Sequence, residues 1–331
     1  MFDSCLLLII VITLIILIAF CLIFAFSGTR NKTCGGGKDI YGSRNHLRQR
    51  VKEIHEETKK KFLEALSDDD KKDINEYKQP SEYRNDDDRF RQSDRRSGIL
   101  NKYIDEATKN RIINEANEAL NNIDVSYVED FTGIFFECTF FLNIDIHTWN
   151  MSRAKCTAKM FQWCTSVKSI RMPESDLSRV YDTHKMFNDC YDLKKIINND
   201  KWRFNELESA YCMFYDCRQL TELSSDKWGD LPELIEALCM FHGCESLTEL
   251  ILPWSAEYLE DTNGLCQRCS KLKYVDISTW KINKESPLGD ISDMFRDCRR
   301  LETLKGKELL DELIEVCDSR GLYKNSPYIN L

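Results

Sequence analysis

Apolar residues between Ile134 and Leu304 recur in blocks too widely spaced for one helix or one strand. Five blocks open on Met-Phe-x-x-Cys: Met160 to Cys164, Met186 to Cys190, Met213 to Cys217, Met240 to Cys244 and Met294 to Cys298. Two further copies, Ile134-Phe135-x-x-Cys138 and Leu265-Cys266-x-x-Cys269, sit where the spacing requires them. The seven cysteines Cys138, Cys164, Cys190, Cys217, Cys244, Cys269 and Cys298 lie 26, 26, 27, 27, 25 and 29 residues apart. A period of roughly 20 to 50 residues marks a stacked array in which no unit buries its apolar face alone.

Each block continues with an apolar residue three positions after its cysteine (Phe141, Val167, Leu193, Leu220, Leu247, Leu272, Leu301) and another six after it (Ile144, Ile170, Ile196, Leu223, Leu250, Val275, Leu304). Met, Phe, Cys and the first of these fall on one face of a short helical turn, and the Leu-x-x-Leu-x-Leu that follows reads as a short strand. A tryptophan closes five blocks: Trp149, Trp202, Trp228, Trp254 and Trp280. The pattern predicts an α/β repeat, a curved solenoid of about seven rungs over residues 130–307.

Helical periodicity flanks the array. Leu100, Tyr103, Ile104, Ala107, Ile112, Ala116, Ala119, Leu120 and Ile123 predict an N-terminal helical cap over 100–129, and Leu309, Leu310, Leu313, Ile314 and Cys317 a C-terminal cap and tail over 308–331, with Gly321 as a stop. Residues 30–99 divide into a glycine joint at Cys34–Gly37, an amphipathic stalk helix (Leu47, Val51, Ile54, Thr58, Phe62, Ala65) that offers a route to self-association, and a charged spacer from Ser67 to Gly98.

Residues 1–29 are predicted to be a transmembrane anchor. Cys5 to Phe26 is an uncharged apolar run without Pro or Gly, long enough for the roughly 20 residues of a spanning helix. Ala25-Phe26-Ser27 has the form of a signal-peptide cleavage site, but the run exceeds the usual apolar core and no Lys or Arg precedes it. Arg30, Lys32, Lys38 and Arg44 follow the run and only Asp3 precedes it, which places the repeats on the cytoplasmic side of a single-pass membrane protein.

With motif and period in hand, residues 130–307 resemble the BspA-like leucine-rich repeats, the bacterial surface protein repeat. Its units run Met-Phe-x-x-Cys-x-x-Leu, then Leu-x-Leu, then Trp or Phe. The resemblance implies a leucine-rich-repeat-like solenoid, surface exposure, and adhesion or host-protein binding. Here charged residues replace the Ser-, Thr- and Asn-rich segment that usually precedes each Met.

The formal net charge of −9 argues against a nucleic-acid partner, which would call for surplus Lys and Arg. Fifteen cysteines raise the question of bridges or metal, yet the repeat cysteines alternate with Met and Phe in one face and read as a structural ladder of small buried hydrophobes. Cys266-Gln267-Arg268-Cys269 lacks the second pair of a zinc site. Asp68–Asp70 and Asp86–Asp88 lack calcium-loop spacing. The five histidines show no metal-ligand pattern, and no glycine-rich phosphate loop or nucleophile elbow occurs. No enzyme activity, cofactor or metal is therefore expected.

The expected function is a membrane-anchored protein-interaction scaffold. Its binding face is formed by the residues flanking each inward strand position: Asn143 and Asp145, Ser169 and Arg171, Lys195 and Ile197, Glu222 and Ser224, Glu249 and Ile251, Tyr274 and Asp276, Thr303 and Lys305. The alternative is a cell- or virion-surface adhesin that stacks carbohydrate on exposed tryptophans.

Overall fold

The computed structural model describes residues 38–68, 70–71, 99–100, 102–255, 257–281 and 288–329. The chain divides into two compact units, Met1–Lys38 and Asp39–Leu331, and the described residues fall in the second apart from Lys38. The apolar run that carries the anchor assignment, the glycine joint and most of the spacer lie outside them. Among the described residues no helix is long and apolar enough to cross a membrane.

Three helices, α1 (Lys38–Glu64), α2 (Glu106–Asn121) and α3 (Lys307–Leu313), flank six short strands: β1 (Asn143–Asp145), β2 (Ser169–Arg171), β3 (Lys195–Ile197), β4 (Glu249–Ile251), β5 (Tyr274–Asp276) and β6 (Thr303–Lys305). The strands pair in parallel, one repeat apart, as β1-β2-β3 and β4-β5-β6. Register keeps equivalent residues together: Ile144 with Ile170 and Ile196, and Leu250 with Val275 and Leu304. A second parallel ladder runs unbroken from Asp130 through Cys156, Asp182, Ser209, Glu236, Asp261 and Asp290 to Asp318. The body is thus a β-solenoid with few helices.

The Met-Phe-x-x-Cys segments are not the helical turns that their spacing predicts. Each rung carries two left-handed residues four apart, as in Lys159 (φ 56°) and Trp163 (φ 63°), Lys185 and Asp189, or Cys212 and Asp216. Such residues cannot continue a right-handed helix. They aim alternate amides along the stack, so that Lys159, Phe161 and Trp163 N–H donate to His184, Met186 and Asn188 carbonyls at 2.8, 2.8 and 2.9 Å. The intervening amides close turns within the rung, as Gln162 N–H does on Lys159 O at 3.1 Å. In an α-helix those donors would be spent inside the segment. Here they hold one rung to the next.

Burial follows the repeat. Met160, Phe161, Cys164, Val167 and Ile170 are all fully buried, and so are their equivalents in neighbouring rungs. The phenylalanines stack in register: Phe135, Phe161, Phe187, Phe214 and Phe241 follow one another with centroids 5.0, 5.2, 5.2 and 5.7 Å apart. Cys266 interrupts the column. Stacked rings of this kind add about 0.5–1.5 kcal/mol per pair to the burial itself.

The ends differ from expectation. The stripe of α1 that a coiled-coil stalk would present is covered by its own chain: Leu47 and Val51 join the solenoid core, while Phe62 and Leu66 pack with α2 residues Ile112 and Ile113 and with Phe140 and Leu142. Arg44 bonds Asp130 at 3.0 Å, and the buried His55 Nε2 accepts the Phe140 amide at 3.1 Å. Helix α1 is therefore part of the N-terminal cap. Helix α2 closes the outer edge of β1 with side-chain amides: Asn117 Oδ1 accepts from Asp145 N and Asn121 Nδ2 donates to Asp145 O, both at 2.9 Å.

At the other end, Gly321 does not stop the repeat. Leu322-Tyr323-Lys324-Asn325-Ser326 forms an eighth turn, with Gly321 and Asn325 in the two left-handed places, Tyr323 stacked on Phe295 at 6.2 Å and Phe295 N–H bonded to Leu322 O at 2.9 Å.

Candidate interaction surface

The candidate face consists of the two rows that flank the buried strand positions. Register sets Asn143, Ser169 and Lys195 in one line and Asp145, Arg171 and Ile197 in the other. In the second sheet Glu249, Tyr274 and Thr303 line up beside Ile251, Asp276 and Lys305. Arg171, Lys195, Glu249, Thr303 and Lys305 are exposed, and the other seven are half-buried.

Glu222 and Ser224, expected on a strand, are not on one. The fourth rung lies between β3 and β4 and pairs with neither, so the sheet splits into two groups of three. The third and fourth rungs also differ from most others eight residues past the cysteine. Ile146, Met172, Leu252 and Ile277 bury an apolar side chain there, whereas the third and fourth rungs carry Asn198 and Ser225. Without that inward anchor, both rungs turn into short 3-10 segments, Asn199–Lys201 and Ser225–Lys227. Side chains then close the break. Asn199 Nδ2 donates to Ile196 O at 2.5 Å, its Oδ1 accepts from Ser224 N at 2.7 Å, and Ser225 Oγ donates to Ile251 O at 2.7 Å.

The break leaves a shallow recess of about 610 Å³ lined by Thr221, Glu222, Ser224, Asp226, Thr248 and Glu249. Elsewhere the face pairs within itself. Ser169 Oγ donates to Asn143 Oδ1 at 2.7 Å, Arg171 lies 3.7 Å from Asp145, and Lys305 lies 3.5 Å from Asp276 and 5.3 Å over the Tyr274 ring. The Ser278 and Tyr274 hydroxyls and Lys305 keep the Asp276 carboxyl below its usual range against the opposing effect of burial. Glu222 and Glu249 have no ion pair among the described residues. Lys195, exposed in the rung before them, has none either, so the middle of the face holds two unpaired carboxylates and one unpaired cation.

The structural ladder has a chemical reason that spacing did not reveal. Each thiol from Cys164 onward donates to a carbonyl of the preceding rung: Cys164 to Phe135, Cys190 to Phe161, Cys217 to Phe187, Cys244 to Phe214, Cys269 to Phe241 and Cys298 to Cys266, at 2.9 to 3.2 Å. Ser326 Oγ does the same to Phe295 O at 2.6 Å in the eighth turn. Burial drives the Cys164, Cys190, Cys217 and Cys244 thiols far up from their ordinary range, which makes them poor nucleophiles. All seven ladder cysteines are free.

Cys266 and Cys269 are fully buried in the core. Among the described residues no group of three or more His, Cys, Asp or Glu could hold a metal ion. The tryptophans expected to stack sugars if exposed are instead packed inside: Trp202, Trp228 and Trp254 show no exposed surface, and Trp149 and Trp280 show 2% and 5%.

A family profile described as "Mycoplasma protein of unknown function, DUF285" matches residues 103–228 and 222–307. The chain belongs to the DUF285 family. The matched span begins near α2 and ends at α3, so it takes in the strands, the break and the cysteine ladder. No curated relative and no solved structure matches the chain.

Proposed function

We propose that this DUF285 protein is a membrane-anchored interaction scaffold of the BspA-like leucine-rich-repeat kind, and that its partner is a protein docking across the strand face at the fourth-rung break. The observation that carries this reading is the contrast within the face. Arg171 and Lys305 lie close to Asp145 and Asp276, while Glu222 and Glu249 have no ion pair among the described residues and stand beside a strand gap. A mixed polar, charged and aliphatic surface with a specific unneutralised centre suits a protein partner bearing Lys or Arg, since complementary charge governs encounter and register. The anchor assignment rests on the apolar run Cys5–Phe26, and the cytoplasmic side on the basic residues after it.

The test is site-directed photocrosslinking from Lys195 and Thr303 in intact cells, followed by charge reversal. Glu222→Lys with Glu249→Lys should abolish crosslinking to the partner while leaving the thermal transition in place. Unchanged crosslinking would reject the face. Protease treatment of sealed cells and of opened ones tests the side: repeats digested without opening the membrane would place them outside.

A further inference from the structure

Outside the strand face, Cys212 and Cys239 stand apart from the other cysteines. They occupy the same place in successive rungs, the left-handed residue that precedes Met213 and Met240, with φ of 52° and 53°. Of the other six rungs, three put Gly133, Gly264 and Gly321 there, as the backbone favours, and three put Lys159, Lys185 and Asp293. Two adjacent rungs instead use cysteine, a residue that gains nothing from this conformation. The position faces the rim and not the core: Cys239 is half-buried and Cys212 keeps 6% of its surface, whereas the ladder thiols from Cys164 to Cys298 keep none.

The inter-rung bond from Cys212 N–H to Leu238 O (2.9 Å) holds Cys212 beside Cys239, and Cys239 N–H to Asn263 O (2.8 Å) ties Cys239 in turn to the rung after. Alpha carbons one rung apart lie about 4.8 Å from each other, inside the roughly 4.4–6.8 Å span that a disulfide bridges. Lys185, from the rung before, lies 5.2 Å over the Tyr211 ring beside the two cysteines, and Gly264 in the rung after offers no side chain to cover the Cys239 sulfur.

We propose that Cys212 and Cys239 form a thiol–disulfide exchange site, a rim dithiol that low-molecular-weight disulfides oxidise to an inter-rung bridge. The neighbouring Cys239 holds the Cys212 thiol below its ordinary range against the opposing effect of burial, with Tyr211 and Lys185 adding to the lowering, while Cys212 and burial together raise that of Cys239. Cys212 is thus the attacking thiolate and Cys239 the resolving thiol. In the first step the Cys212 sulfur bonds one sulfur of the small disulfide, the S–S bond of the oxidant breaks, and one thiolate leaves. In the second step Cys239 passes its proton to a departing thiolate and attacks the Cys212 sulfur. The bridge closes, the second small thiol is released, and two electrons have moved from the dithiol to the oxidant.

The test is titration of the full chain with glutathione disulfide, read by peptide mapping without reductant. The expected product is a cross-link joining the peptides that carry Cys212 and Cys239, reversed by a dithiol reductant, with the ladder cysteines still free. Oxidation that leaves both thiols free, or links them to other cysteines first, overturns the proposal. Cys239→Ser should trap Cys212 as a stable mixed disulfide carrying one glutathione. Cys212→Ser should slow adduct formation by about tenfold or more, and Cys317→Ser should change neither. Mapping of the unsubstituted chain decides the matter even where a variant fails to fold.

Discussion

The Cys190 thiol donates a hydrogen bond to the carbonyl oxygen of Phe161 in the preceding rung, 3.1 Å away. Phe161 O also accepts the Cys164 amide at 3.0 Å, so a backbone turn and an inter-rung thiol meet on one buried oxygen. The ladder cysteine is both a small apolar filler and a donor, and valine or alanine could supply only the first role. Cys190→Ala is expected to lower stability by about 1–3 kcal/mol through the lost bond and the small void. Cys190→Ser, which keeps a donor as Ser326 does naturally, is expected to be the milder change. Urea denaturation compares them; an alanine variant as stable as the parent removes the role assigned to the thiol.

Gly243 occupies a left-handed place (φ 72°), and a Cβ there would land on Asp216 Oδ1. Gly243→Ala should therefore cost about 2 kcal/mol or more, from backbone strain and a displaced carboxylate together. Making the same change in an Asp216→Ala background should cost less, because only the strain remains. Equal costs in the two backgrounds would show that the carboxylate is not what fills the space.

The Phe140 amide is buried against His55 Nε2. His55→Ala removes this acceptor from the buried N–H and should cost about 1–3 kcal/mol. The loss should appear first as faster hydrogen exchange in the rung around Phe140 and in α1, before the later rungs respond. Uniform exchange along the whole solenoid is the contrary result.

Burial raises the Asp261 carboxyl above its ordinary value, and Asp290 and Glu236 beside it add to the effect, opposed by the Asn263 amide. The folded state thus holds the proton more tightly than the unfolded one. The carboxyl favours folding below the unfolded value of about 4, and that contribution is lost as pH rises through the raised folded value. Asp261→Asn keeps an acceptor for Asn263 N–H and should raise the thermal midpoint at neutral pH but not at pH 3. A lower midpoint at neutral pH would contradict the assignment.

Much of the fold was legible because the repeat is a local signal. The Met-Phe-x-x-Cys spacing, the inward residues such as Ile144, Ile170 and Leu250, and the helical cap around Ile112 and Leu120 are each set by short-range periodicity, and each is buried as that periodicity implies. The polar residues Asn198 and Ser225 mark the two rungs that turn into 3-10 segments, but not which of them loses its strand. The position eight past the cysteine alone does not decide the outcome, since the third rung keeps strand β3 with Asn198 there. The eighth turn was hidden because Leu322, Tyr323 and Ser326 stand in for Met, Phe and Cys.

By itself the sequence determined which residues face inward and how often, since burial of an apolar side chain in a repeat depends on spacing within one unit. Only the tertiary structure decided that the motif is a turn ribbon and not a helix, because that choice depends on amides such as Phe161 N–H finding a carbonyl a full rung away, on Met186. The same holds for α1, whose stripe fits a coiled coil or a cap equally well until Leu47 and Val51 meet the first rungs. It holds also for Cys212 and Cys239, which lie a whole repeat apart in the chain and become neighbours only when the rungs stack.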